Sequence, residues 1–325
     1  MRSFSVRRRL LAAVGVTLAL GVAASAAVAQ TQPLGKLKGT IRADGSSTVG
    51  PYTTAAAELF RRAGAGKVNT TVGISGTGGG FTRFCNNETD IQNASRPMKL
   101  VEAQQCKTND VGGWRAFTVA NDALTVVVNP QNTWATCLTV EELKRIWEPG
   151  SRVDNWSQVR AGFPDQPLRL FGPGTDSGTF DYFTEVINGK SRASRSDYNA
   201  SEDDNVLVQG VAGERGGLGY FGFSYFEENQ SRLKALQVRN PKSGQCVSPS
   251  QQTVWNGTYK PLGRPLFIYV RASSFKRPEV QAFLRFMMAN EVKIANAALF
   301  IPLTPAQLKK SRVTYRLALQ AANRT

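Results

Sequence analysis

An α/β fold with a mostly parallel sheet is the architecture this sequence predicts, and three observations predict it. Short β-branched or apolar runs alternate with helical patterns along the chain. Loops rich in glycine and small hydroxyl residues, at 45–51, 75–80 and 172–179, each follow a predicted strand and precede a predicted helix. Residues 117–129 form an apolar run that is long for one strand, with a polar middle at Asn121 and Asp122, which suggests a chain crossing between two halves of the molecule.

In order, residues 38–44 form a first strand, and 52–62 an alanine-rich helix with Pro51 suited to its first turn. Residues 68–73 are a second strand, followed by the second glycine loop and a short helix over 81–86. Asp90-Ile91 leads to Asn93-Ala94-Ser95-Arg96-Pro97, then to a polar helix through Cys106. After the crossing run, 140–147 is a helix and 168–171 an apolar strand. The helix after Asp176 carries Phe180, Phe183, Val186 and Ile187. Residues 191–204 are polar and charged, hence a surface loop. Then come a helix from 206, a buried strand over 217–223 and another strand over 233–238. Residues 261–270 supply a second crossing, and Val280, Phe283, Leu284, Met287 and Met288 follow with the spacing of a core-facing helix.

The first residues read as a cleavable export leader. Arg2, Arg7, Arg8 and Arg9 precede an alanine-rich apolar stretch over 10–28, and Ala27-Val28-Ala29 fits the small-x-small cleavage rule, so residues 1–29 are expected to be removed before Gln30. The small residues and clean cleavage site favour removal over retention as an anchor, while Sec and twin-arginine export both remain open. No later stretch is long and apolar enough to span a bilayer. The formal charge of +16, four charges of which are leader arginines, favours anionic partners. Nucleic acid is disfavoured by export and by the lack of a basic cluster interleaved with exposed aromatics.

Four cysteines, Cys85, Cys106, Cys137 and Cys246, form no CxxC pair, and the chain has no histidine. A zinc site is therefore not expected, and an oxidising compartment favours two disulfides. Of the three possible connectivities, Cys85–Cys106 with Cys137–Cys246 keeps each bridge inside one predicted half. Without histidine there is no Ser-His-Asp or Cys-His catalysis. GxSxG is missing, the loop at 75 lacks a P-loop ending, and Ser231-Arg232-Leu233-Lys234 matches SxxK without its partner motifs.

The loops read better as a binding site without chemistry. Ser46, Ser47, Thr48, Ser75, Thr77, Ser177 and Thr179 offer hydroxyls, their glycines let backbone N–H groups approach, and helix starts attract anions. Simple helix capping is the competing reading for Asp176 and Ser177. Arg96 can supply a guanidinium fork suited to a tetrahedral oxyanion, with a solvated surface arginine as the competing reading.

The segments Ala-Asp-Gly-Ser-Ser-Thr (43–48), Ser-Gly-Thr-Gly-Gly-Gly (75–80), Asn-Ala-Ser-Arg-Pro (93–97), Gly-Thr-Asp-Ser-Gly-Thr-Phe-Asp-Tyr-Phe (174–183) and Gly-Gly-Leu-Gly-Tyr-Phe-Gly-Phe (216–223) carry a resemblance. Over nearly the whole mature length the chain resembles the periplasmic phosphate-binding proteins of ABC importers, the PstS family. The resemblance implies two α/β lobes joined by two crossing strands, here 30–120 with 265–325 and 121–264, closing on one phosphate. It places ligand groups at Ser47, Thr48, Thr77, Ser177, Gly178 and Thr179, to which the loops themselves add Ser95, Arg96 and Asp176. It implies a cofactor-free, monomeric, periplasmic binding protein rather than an enzyme, with inorganic phosphate and an inner-membrane permease as partners. Many family members carry Ala-Ser-Asp where this chain has Ala94-Ser95-Arg96, and an arginine where it has Pro173. That points to a relocated positive charge and leaves the proton acceptor open among Asp176, Asp203 and Asp204. Capture of a sulfate-like oxyanion, a phosphate-dependent sensor and a secreted phosphate-ester hydrolase are the alternatives.

Overall fold

The computed structural model describes Met1 and residues 32–175, 177–201 and 203–323. The expected leader and its cleavage site, like Asp176, lie outside the described residues. Twelve strands follow in order: β1 (Gly39–Gly45), β2 (Val68–Val72), β3 (Ile91–Ala94), β4 (Trp114–Val128), β5 (Cys137–Leu138), β6 (Arg169–Pro173), β7 (Asn199–Ser201), β8 (Gly217–Gly222), β9 (Lys234–Ala235), β10 (Gln237–Arg239), β11 (Cys246–Val247) and β12 (Gly263–Arg271). The main sheet runs β2-β1-β3-β12-β4-β8-β6-β7, with β9 also on β4, and a small sheet runs β11-β10-β5.

The main sheet is mixed, which corrects the expectation of a mostly parallel one. β1 is parallel to β2 and β3, and β6 is parallel to β7 and β8, because strand–loop–helix units build both wings. Between the wings β12 is antiparallel to both β3 and β4, and β4 is antiparallel to β8. β4 is one continuous strand of 15 residues. Its first part, through Ala123, pairs with β12, and its last part, Leu124–Val128, pairs with β8.

Two buried apolar clusters flank this seam. One gathers Ile41, Tyr52, Phe60, Ile268 and Phe283, and the other gathers Leu124, Trp147, Phe183, Tyr220 and Tyr259. In the second cluster Phe183 stacks on Tyr220 at 3.7 Å between ring centroids, and Trp147 meets Tyr220 edge-on at 4.9 Å. Along β4 the change of cluster falls between Ala120 and Ala123, and at the return it falls between Leu262 and Leu266.

Three local expectations change. The second glycine loop is already helical, in a helix that begins at Gly76 and runs to Cys85. The surface loop over 191–204 ends in β7, an edge strand registered on β6, with Asn199 Nδ2 donating to Leu170 O at 3.0 Å. The strand over 233–238 divides into β9 on the main sheet and β10 on the small one. Both disulfides pair as expected, Cys85 with Cys106 and Cys137 with Cys246. Among the described residues no helix is long and apolar enough to cross a membrane, and no group of His, Cys, Asp and Glu could hold a metal ion.

Candidate functional site

A cleft of about 640 Å³ opens where the loops after β1, β2 and β3 meet the helix after β6 and the start of β12. Each loop is placed by strand ends behind it. Asp44, at the end of β1, is buried and accepts from Gly45 N at 2.6 Å, Ser75 N at 3.0 Å and Ser75 Oγ at 2.7 Å. Its other oxygen meets Arg83, so one carboxylate fixes the first loop against the second. The backbones then approach closely. A Cβ on Gly80 would lie 2.5 Å from Gly45 Cα, a contact that only glycine permits.

Of the candidate residues, Ser47, Thr48, Thr77, Ser95 and Arg96 all line the cleft. Thr77 Oγ1 and Ser95 Oγ lie 3.0 Å apart, joining the loop after β2 to the loop after β3. Gly76, Thr77 and Gly78 stand in the first turn of their helix, where N–H groups lack an intrahelical acceptor. Ser177, Gly178 and Thr179 stand beside the cleft rather than among its lining residues. Ser177 Oγ caps Thr179 N at 3.1 Å, the competing reading weighed from the sequence. Gly178 abuts the first loop: Thr48 Oγ1 donates to Gly178 O at 3.2 Å, and a Cβ there would sit 2.5 Å from Thr48 N.

Arg96 is differently placed from a free fork. Glu102 takes both terminal nitrogens, at 2.9 and 2.7 Å, and the guanidinium lies over Phe81. The hydrogen bonds to Glu102 hold Arg96 firmly protonated and neutralise it locally. Asp203 caps its own helix by accepting from Asn205 N at 2.9 Å, and neither Asp203 nor Asp204 lines the cleft.

Sequence reasoning missed the central cation, Arg264, at the start of β12. Its Nη1 donates to Ser95 O at 3.1 Å and its Nη2 to Thr48 Oγ1 at 3.1 Å, tying the loop after β3 to the loop after β1. Its Nε faces Asp122 Oδ2 of β4 at 3.4 Å, and its guanidinium carbon lies 3.3 Å from the Tyr182 ring centroid. Of five guanidinium donors these contacts use three, leaving one N–H on each terminal nitrogen. The Arg264 and Asp122 side chains are 10% and 7% exposed. Burial pushes the Asp122 carboxyl above the usual range, and Arg264 opposes that rise. The available signal was a pair of charges, Asp122 and Arg264, set inside otherwise apolar crossing strands, since buried charges are almost always paired.

Asp181, Glu185 and Arg192 were also missed. Asp181 Oδ2 accepts from Ser47 Oγ at 3.3 Å. Its buried Oδ1 has no hydrogen-bond partner among the described residues, although Arg192 stands 3.6 Å away. Burial raises the Asp181 carboxyl, while Arg192 and Ser47 pull it down and Glu185 raises it further.

Comparison with known proteins identifies relatives of the whole chain. Residues 23–291 fit the family model described as a PBP superfamily domain. Protein SphX of Synechococcus elongatus is 50% identical over 265 residues, 81% of this chain and 77% of that protein. The phosphate-binding protein PstS of Staphylococcus saprophyticus is 35% identical, covering 90% of this chain and 88% of its own length. A crystal structure of a possible phosphate-binding protein from Planctomyces limnophilus superposes with a TM-score of 0.83 at 48% identity, over 87% of this chain and 99% of that one. With a family model across most of its length and relatives this similar, the chain belongs to the PBP superfamily, in the family of the phosphate-binding protein PstS and of Protein SphX.

Proposed function

We propose that this protein captures inorganic phosphate in the periplasm and delivers it to the permease of an ABC importer, as a monomer and without chemical turnover. The carrying observation is the convergence of three hydroxyl-bearing loops on one buried arginine with two donors to spare. Such a set replaces the anion's water with fixed donors, which suits capture of the anion. In this reading residues 30–120 with 265–325 form one lobe and 121–264 the other. The anion sits among Ser47, Thr48, Thr77 and Ser95 beside Arg264. Ser177, Gly178 and Thr179 close over it from the second lobe, and closure signals occupancy to the transporter. Arg96 lends field at the wall rather than a free fork.

Asp181 is the acceptor this site offers to a protonated oxyanion. As an ionised carboxylate lining the cleft, it would accept the proton that phosphate retains and repel sulfate, which has none at neutral pH. Asp181→Asn should weaken phosphate binding by about tenfold, one hydrogen bond to a charged group. It should also let sulfate compete, because the amide donates where the carboxylate cannot. Because burial raises the Asp181 carboxyl, phosphate affinity should fall as pH drops through that raised range, and the variant should lose this dependence. Competition titrations of both proteins with phosphate and sulfate between pH 5 and pH 8 check this. An unchanged phosphate-to-sulfate preference in Asp181→Asn refutes the assignment.

A further inference from the structure

Far along the chain from these loops, helices Pro278–Ala289 and Pro305–Ala322 pack side by side and leave a groove of about 600 Å³ between them. Its floor is apolar, with Met288, Leu308 and Tyr315 among its residues; the Tyr315 hydroxyl is already satisfied by Gln281 O at 2.9 Å. Its rims are cationic: Arg285 on one helix, and Lys309, Arg312 and Arg316 on the other. None of these four makes an ion pair among the described residues. The acidic group whose field reaches Arg312 is Glu291, which is buried and already accepts from Leu303 N. Val313 and Leu317 extend exposed apolar surface along the outer helix.

We propose that this groove docks an acidic amphipathic helical segment of a partner protein. Leu308 and Tyr315 stand seven residues apart, two helical turns or about 10 Å, which suits anchors at i, i+3 or i+4 and i+7 of an incoming helix. Cations on both rims fit a partner whose apolar stripe is flanked by carboxylates on both sides. A concave groove with an apolar floor favours such a helix over a flat anionic bilayer, which cannot follow the hollow.

The test uses the full mature protein and a fluorescein-labelled helical peptide with a leucine stripe flanked by glutamates, read by anisotropy at low and high salt. The peptide should bind, and the double variant Arg285→Glu/Arg316→Glu should weaken it by about tenfold while phosphate binding stays unchanged. The double variant Lys36→Glu/Lys67→Glu alters net charge equally but lies away from the groove, so it should bind the peptide as the parent does. Equal loss in both double variants overturns the proposal in favour of diffuse attraction. Equal binding of a peptide with glutamine for every glutamate overturns it as well. So does charge-dependent binding to phosphatidylglycerol vesicles without binding to the peptide, which would assign the surface to a membrane.

Discussion

Arg264→Ala should lower phosphate affinity by about 100-fold or more and also destabilise the fold. Two charge-assisted hydrogen bonds, each contributing about 1.5–3 kcal/mol, disappear from a site whose other donors are hydroxyls and backbone N–H groups. The stability loss has a separate cause. Asp122, 7% exposed, would lose its cationic partner, and breaking a buried pair from one side costs about 3–5 kcal/mol. The sign of its pH dependence follows from the direction of the carboxyl's shift. Burial raises the folded-state carboxyl above its unfolded value, and the alanine variant removes the opposing arginine. The variant should therefore be most stable in acid, where Asp122 is protonated, and should lose stability as pH rises through the raised folded value. Adding Asp122→Asn should recover stability without recovering binding, which separates the two roles. Arg96→Ala should have the smaller effect on affinity, since Glu102 already occupies its fork. A larger loss from Arg96→Ala than from Arg264→Ala would reverse this assignment of the site's charge.

Removing the Cys137–Cys246 bridge should produce the largest loss of stability that leaves the cleft untouched. The bridge spans 109 residues and joins β5 to β11, the outer strands of the small sheet. Restriction of the unfolded chain over a loop of that length contributes about 4–5 kcal/mol, against about 3 kcal/mol for the 21-residue span of Cys85–Cys106. Replacing each pair by serine and measuring denaturant unfolding should show both variants weakened and the Cys137→Ser/Cys246→Ser variant weakened more. Both should still bind phosphate when folded. Equal midpoints for the two variants would mean that local strain or packing, rather than chain restriction, sets the contribution of each bridge.

What was legible in the sequence was whatever is encoded locally. Glycine and hydroxyl residues between a strand and a helix marked the loops of Ser47, Thr77 and Ser177, because each element's periodicity lies within a few residues of its loop. Even there a glycine run read as open loop proved to be the first turns of a helix, since Asp44, from a different strand, fixes Ser75 at its start. What depends on long-range juxtaposition was not legible. Arg264 lies 216 residues from Thr48 and 142 from Asp122, and only the antiparallel registration of β12 on β4 brings them together. Asp181 was not singled out, because its place in the cleft opposite Ser47 depends on a distant loop brought beside its helix. Sheet direction was misjudged for the same reason. Alternating strands and helices foretell parallel wings, but not that two crossing strands would meet head to tail between them.

Capture of inorganic phosphate in this cleft, without chemistry on it, is what we propose. Calorimetric titration of the mature protein, stripped of bound anion, with phosphate and then with sulfate tests it most directly. Saturable binding at one phosphate per chain is expected, with little or no heat from sulfate. Absence of phosphate binding, or equal affinity for sulfate, would contradict it.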